Sequence, residues 1–237
     1  MLFRSQACSQ FWFDPMLQRK ARSFPGVSLL YHHRLESFEH QGAGVVARVR
    51  DLKGERDIEI RARWLVGCDG AGSRVRRALG IGLVGSDALS LSMHLYFRTP
   101  DLLAQLGVKK GTFFPTIDRG GYWGNVRAID PANGLWRLLF DVPEEQKPGF
   151  DPAKVDCDAW LERALAKRVK VEWVGASLWT RRGVVAERYS DGAVHLAGDS
   201  VHQVSPTGAL GMNTGIADAV DIGWKIAAVH KIGRAHV

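Results

Sequence analysis

The sequence predicts an α/β protein, α+β overall, in which a discontinuous sheet-and-helix domain is interrupted by an inserted antiparallel sheet. Three observations predict it. Strand-like segments ending in Gly/Asp turns and leading into helices occur in the first and last thirds, at Val66–Gly80 and Ala193–Val229. The middle alternates apolar and polar residues, as half-buried strands do. The 237 residues are 46% hydrophobic and 24% charged, a globular balance that excludes disorder, collagen and fibre. Residues 1–85 and 183–230 are therefore assigned to one domain and 86–182 to the insert.

The chain opens with a helix over Phe13–Ser23 and a strand over Val27–Tyr31. Strands Leu35–His40 and Val45–Arg50 flank the turn Gln41-Gly42-Ala43-Gly44. That turn formally satisfies G-x-G-x-x-A, but it leads into an alternating strand and so marks a hairpin. A strand over Asp57–Val66 runs into Gly67-Cys68-Asp69-Gly70, and Ser73 caps a short helix that Gly80 ends. In the insert, Leu89, Leu91, Met93, Leu95 and Phe97 alternate with Ser90, Ser92, His94, Tyr96 and Arg98. Strands follow at Gly111–Pro115, Gly121–Ile129 and Trp136–Val142. A helix over Cys157–Arg168 stacks Cys157, Trp160, Leu161, Ala164 and Leu165 on one face, and a strand covers Val171–Trp179. The last third gives a strand at Ala193–Ala197 and a helix over Gly211–Val229, with Ile216, Ala219, Val220, Gly223 and Ala227 as its expected buried face.

No apolar run reaches the roughly 20 residues of a membrane span, and Arg4 and Gln6 interrupt the N-terminus before a signal-peptide core develops. Three cysteines, Cys8, Cys68 and Cys157, without C-x-x-C spacing fit a reducing compartment, and the expected location is cytoplasmic. The net charge of +7 is concentrated in residues 1–80, which hold 14 Lys+Arg against 8 Asp+Glu. A basic surface is compatible with nucleic acid, an anionic cofactor or plain solubility. The aromatic residues lack the basic interleaving of a nucleic-acid platform. His32, His33 and His202 have no second ligand at metal spacing, and Ser200 and Ser205 lie outside any G-x-S-x-G elbow.

Two constellations carry chemistry. In Val66-Gly67-Cys68-Asp69-Gly70-Ala71-Gly72-Ser73, glycines let backbone approach a ligand and a helix start offers unpaired N–H groups. Arg74, Arg76 and Arg77 then stand where the helix dipole disfavours cations, which an anion docking there would explain. A basic surface helix after an ordinary turn is the plainer alternative. In Gly198-Asp199 … Pro206 … Gly208 … Gly211-Met212-Asn213 … Gly215, an acid at a strand's carboxyl end can accept bonds from ligand hydroxyls. Three glycines and a proline strip side chains from the following loop, so that amides at Gly211, Met212 and Asn213 can face a ligand that carries or acquires negative charge.

Together these runs resemble the Asp-Gly and Gly-Asp motifs of the FAD-dependent aromatic-ring monooxygenases, the para-hydroxybenzoate and phenol hydroxylase family. The first match is Val66-Gly67-Cys68-Asp69-Gly70 with Ser73, Val75-Arg76 and Leu79-Gly80; the second runs from Gly198-Asp199 through His202 to Asp218-Ala219 and Trp224-Lys225. The resemblance covers about residues 5–230 and implies a partial, Rossmann-like FAD-binding domain with an inserted substrate domain. It implies that Asp199 and Gly198 hold the ribityl chain of FAD, and that Pro206, Gly208, Gly211, Met212 and Asn213 border the flavin. Gln10 would lie near the FAD, and Asp69, Gly70 and Arg76 would support its pyrophosphate side and the approach of NAD(P)H. The implied reaction is hydroxylation of a small phenolic substrate with NAD(P)H and O2, and Phe113, Phe114, Tyr122 and Trp123 are candidate ring contacts. A related halogenase, epoxidase or reductase, and a non-catalytic basic interaction module, are the alternatives; a homodimer is compatible with all of them.

Family members open with a strand, a G-x-G-x-x-G turn and a helix that grip the ADP half of FAD, and residues 1–10 supply none of these. Ile232-Gly233-Arg234-Ala235-His236-Val237 continues no pattern in the helix before it, and 231–237 reads as a non-native tail. The expectation is a gene fragment truncated at both ends, one that folds poorly and is inactive alone because missing strands would leave an open sheet edge.

Overall fold

Alternation, turn glycines and helix caps place most elements where the sequence predicts them. The computed structural model describes residues 10–205 and 210–233. Along the chain run α1 (Gln10–Arg22), β1 (His33–Gln41), β2 (Gly44–Asp51), β3 (Arg56–Ala62), β4 (Leu65–Gly67), α2 (Arg74–Ala78), β5 (Leu83–Arg98) and α3 (Leu102–Leu106). Then come β6 (Phe113–Asp118), β7 (Gly121–Asp130), β8 (Leu135–Asp141), α4 (Cys157–Leu165), β9 (Glu172–Ala186), β10 (Ser190–Asp191), β11 (Val194–Leu196), β12 (His202–Gln203) and α5 (Leu210–Ile232). Among the described residues no helix is long and apolar enough to cross a membrane.

The chain forms two compact units, one of Leu30–Leu89 with Arg181–Val237, the other of the segment up to Leu29 with Ser90–Thr180. The segment before Leu30 therefore groups apart from β1–β4, against the expected boundary. The strand expected at Val27–Tyr31 does not form; Val27, Leu30 and Tyr31 are exposed, and His32 takes a left-handed φ of 59° that turns the chain into β1.

In the first unit β1, β2 and β3 form an antiparallel sheet, with Gln41 paired to Gly44 across the two-residue turn. The single strand expected over Asp57–Val66 is two strands. β3 pairs antiparallel with β2, whereas β4 leaves that sheet and pairs parallel with β11, so the break at Arg63-Trp64 transfers the chain between sheets. Val45, Val75, Ile81, Ala186, Val194, Leu196 and Val201 form the core. α5 is rotated from the expected face: Ile216, Ala219, Val220, Gly223 and Ala227 are exposed, and Thr214, Gly215, Asp218 and Ile222 are half-buried. The cause is close backbone packing. A Cβ on Gly215 would lie 3.6 Å from the Cα of Gly198, so small and polar residues, not the apolar stripe, meet the turn after β11.

In the second unit β5, β8, β7 and β6 are antiparallel neighbours. Met93, Leu95, Phe97, Val126, Leu138 and Phe140 have no exposed surface and form the core with Leu161 of α4. The rest of the expected α4 stripe packs on that core, and Trp160 stacks on Phe140 with ring centroids 3.9 Å apart. Complete burial of such a side chain contributes about 1.5–3 kcal/mol. Asp156 caps α4 by accepting from the Ala159 N–H at 3.0 Å.

Candidate functional site

The parallel pairing of β4 with β11 matches Leu65 with Val194, Val66 with His195 and Gly67 with Leu196. Two motifs far apart in sequence thereby leave one sheet end side by side, where open α/β sheets bind ligands. Gly67 permits the approach, since a Cβ there would come within 2.9 Å of Leu196 and Val75 side-chain atoms. The Ala197 N–H donates to the Gly67 carbonyl at 3.1 Å. The buried Ser200 hydroxyl lies 2.7 Å from the carbonyls of both Gly67 and Ala197.

Ser73 is the N-cap of α2, and Asp69 holds the same helix start from the preceding turn. Its carboxylate accepts from the Ser73 hydroxyl at 2.5 Å, the Arg74 N–H at 2.6 Å and the Val75 N–H at 3.1 Å. Burial works against its ionisation, but these three bonds outweigh that and hold its carboxyl below the ordinary carboxylate range. Ser73 in turn accepts from the Arg76 N–H at 2.9 Å. Arg76 is buried, and its guanidinium donates to the Ser200 carbonyl at 2.8 Å and, at 3.4 Å, to that of Ala71. Asp69 and Arg76, expected beside pyrophosphate, thus direct these hydrogen bonds into the protein and tie the two motifs together. Of the other two arginines, Arg77 is exposed and Arg74 approaches Glu36 at 3.8 Å.

Gly198 has a φ of 64°, the left-handed region, and turns the chain at the end of β11. Asp199 follows with an exposed side chain that makes no hydrogen bond or ion pair among the described residues. Asp218 of α5 accepts from the Gly198 N–H at 2.8 Å and pairs with Nε2 of buried His202 at 2.6 Å. This brace was missed in the sequence as a site feature; both residues stood in the second motif, but a pair sixteen positions apart has no periodic signature. Gly211, Met212 and Asn213 lie in the first turn of α5, whose leading amides lack intrahelical partners. Pro206 and Gly208 lie outside the described residues. Gly70 has a φ of 79° and open space around it. Gln10 is exposed at the start of α1, in the other unit. An unpaired carboxylate beside a glycine turn and a helix N-terminus can accept bonds from a polyol and favour negative charge on a polar ring edge.

The four candidate ring contacts divide between the two faces of the inserted sheet. Phe114 and Trp123 pack on its core. Trp123 occupies a bulge, because Thr116 pairs with Gly124 but Ile117 with Tyr122. The bulge re-aims the indole toward α4, 5.6 Å from the Trp160 ring and 4.4 Å from the Arg163 guanidinium. Phe113 and Tyr122 are exposed, and Asn125 donates to the Tyr122 hydroxyl at 2.8 Å. Phe114 and Trp123 therefore pack inside the second unit, whereas Phe113 and Tyr122 are exposed.

The FAD binding domain family matches residues 3–236. Aklavinone 12-hydroxylase RdmE of Streptomyces purpurascens is 35% identical over 93% of the chain and 41% of its own length. The 2,4-dichlorophenol 6-monooxygenase of Cupriavidus pinatubonensis is 30% identical over 93% of the chain and 37% of its own length. The ternary complex of aklavinone-11 hydroxylase with FAD and aklavinone superposes with a TM-score of 0.81 at 30% identity, covering 94% of this chain and 42% of that one. The chain spans about 35–41% of the length of the curated relatives it matches. With its two motifs joined at one sheet end and this match along nearly its whole length, the chain belongs to the FAD binding domain family.

Proposed function

We propose that the chain supplies the flavin-holding turn and the substrate-facing sheet of a monooxygenase that hydroxylates an aromatic ring with FAD, NAD(P)H and O2. The observation that carries the reading is the exposed Asp199 carboxylate, unpartnered among the described residues and held at the carboxyl end of β11 by the Gly198 turn. The relatives' names, hydroxylases of polyketide and phenolic rings, support the substrate class.

The residues fit the cofactor. Gly198 and Gly215 leave no side chain between the turn and α5, and Asp199 has acceptor capacity for cofactor hydroxyls. Bound FAD would supply the redox chemistry, taking hydride from NAD(P)H and reacting with O2. The protein's part is positional and electrostatic. Asp199 accepts hydroxyls, and the amides of Gly211, Met212 and Asn213 favour negative charge at the flavin edge, with Pro206 and Gly208 preceding them in sequence. Asp69, Arg76 and Ser200 fix the turn, and Gly70 keeps its neighbourhood open. A homodimer in the cytoplasm belongs to the same proposal.

Titration of the chain with FAD, read by flavin fluorescence, tests it. Asp199→Ala removes a charged acceptor contributing about 1.5–3 kcal/mol, so FAD affinity should fall about ten- to a hundredfold. Unchanged affinity would remove Asp199 from the site. A full-length protein carrying this chain that neither binds FAD nor oxidises NAD(P)H in the presence of a phenol would sink the proposal.

A further inference from the structure

Asp218 lies beyond the first turn of α5, where the helix dipole would favour an acid, and its side chain is only 21% exposed. A carboxylate so placed needs partners, and both bonds that it makes among the described residues leave the helix. One oxygen, Oδ2, accepts from the Gly198 N–H at 2.8 Å and lies 2.6 Å from Nε2 of His202. Asp221 shows the ordinary alternative, an exposed carboxylate 2.7 Å from Lys225 of the same helix. Gly215 precedes Asp218 by one turn on the half-buried face, and its missing Cβ lets α5 approach Gly198. The glycine permits the approach and the carboxylate fixes it.

His202 is 5% exposed. A neutral imidazole has one N–H, and giving it to Asp218 leaves Nδ1 buried with no partner among the described residues. Because an unsatisfied buried acceptor is costly, the ring's one donor is committed to Asp218. The backbone of His202 belongs to β12, which pairs it with Val185 of β9. The Gly198 turn, α5 and β12 thus meet at a single carboxylate oxygen. Its charge reaches from the turn after β4 to the segment before β10: burial and then Asp218 push the Tyr189 hydroxyl up, and burial, Asp69 and then Asp218 push the Cys68 thiol up.

We infer that Asp218 and His202 are positioning residues for the cofactor, which hold the Gly198 amide against α5 and so set the spacing between the Asp199 carboxylate and the first amides of that helix. Asp199 follows Gly198 directly, and Gly211, Met212 and Asn213 lie within about two turns of Asp218. Drift of the turn away from α5 would separate the group that receives cofactor hydroxyls from the amides that favour negative charge. This role rests on the proposed function, which takes Asp199 as the cofactor contact.

The test is a double-mutant cycle in the full-length protein carrying this chain, read by FAD titration, melting of the apoprotein and amide hydrogen exchange. Alanine is a better helix former than aspartate, so Asp218→Ala leaves α5 intact. Without flavin, it should speed exchange of the Gly198 amide at least about tenfold. With flavin, it should weaken binding about tenfold. Combined with Asp199→Ala it should add little to the loss that Asp199→Ala causes alone, because a residue that acts through Asp199 then has nothing to position. Asp218→Asn keeps an oxygen acceptor and should recover most of the affinity, and His202→Gln, which keeps a side-chain N–H, should bind FAD more tightly than His202→Leu. Full additivity of the Asp218 and Asp199 losses, or asparagine no better than alanine, would overturn the inference. So would a lowered Tm in Asp218→Ala with FAD affinity unchanged well below it. The two readings fail separately. Unchanged affinity in Asp199→Ala counts against the cofactor contact, while faster Gly198 exchange in Asp218→Ala still upholds the brace. A loss in Asp199→Ala with none in Asp218→Ala counts against the positioning pair alone.

Discussion

Arg76→Leu is the sharpest test of how the two motifs are joined. Arg76 is 6% exposed, and the one short bond of its guanidinium, 2.8 Å, goes to the carbonyl of Ser200, the residue after Asp199. A hydrogen bond to a charged group contributes about 1.5–3 kcal/mol, and its loss leaves a buried carbonyl unsatisfied. The contacts to Ala71 at 3.4 Å are long and add little. Leucine keeps part of the packing, so the expected loss is about 2–3 kcal/mol, or a fall in Tm of about 4–12 °C for a chain of this size. Circular dichroism melts and FAD titration should both register it, because a loosened Ser200 also frees Asp199. Arg76→Lys, with one donor group, should recover part of both. If Arg76→Leu left Tm unchanged while FAD affinity fell, Arg76 would touch the cofactor directly and the bracing argument would be wrong.

Asp69→Asn should destabilise the chain at pH 7 by about 1 kcal/mol, because a neutral amide oxygen accepts the Ser73, Arg74 and Val75 bonds more weakly than a carboxylate. Because the folded carboxyl is held below its unfolded value, its contribution is present above the unfolded pKa and is lost as pH falls through the folded one. The gap between wild type and Asp69→Asn in urea unfolding should therefore close below about pH 4, and a gap independent of pH would contradict this. Gly198→Ala places a Cβ at a φ of 64° and should cost about 1–2 kcal/mol, with weaker FAD binding; neutral stability would show that the turn relaxes freely. Trp123→Ala should cost about 3 kcal/mol through the lost Trp160 and Arg163 contacts. A changed KM with unaltered stability would return the indole to the substrate.

The hairpin, the inserted sheet and the stripe of α4 were legible because their signals are local: a two-residue glycine turn, a period of two, a period near 3.6. The elements that escaped depend on partners. Nothing within Asp57–Val66 announces that its last residues pair with β11, a segment more than a hundred positions away. The face of α5 was misjudged because apolar residues were expected inside, whereas backbone contact between Gly198 and Gly215 sets the rotation. Trp123, a candidate ring contact, turns toward α4 through a bulge that only the pairing of β6 with β7 reveals. In the site, Gly198 and Asp199 stood out because glycines clustered at a helix start are hard to explain by packing. Arg76 stood out for its charge, which suggested a surface role, while its buried carbonyl partner could not be read from the sequence.

The Arg76–Ser200 bond closes a loop of the chain whose ends are 124 residues apart. The entropy of closing a loop grows only as the logarithm of its length, about 0.6 kcal/mol for each doubling. The joint between β4 and β11 is therefore nearly indifferent to how many residues lie between. Strands and connections of the inserted sheet can be lengthened, shortened or exchanged at little cost to the turn that carries Asp199. In such an architecture the inserted sheet can diversify while the joint between β4 and β11 stays fixed.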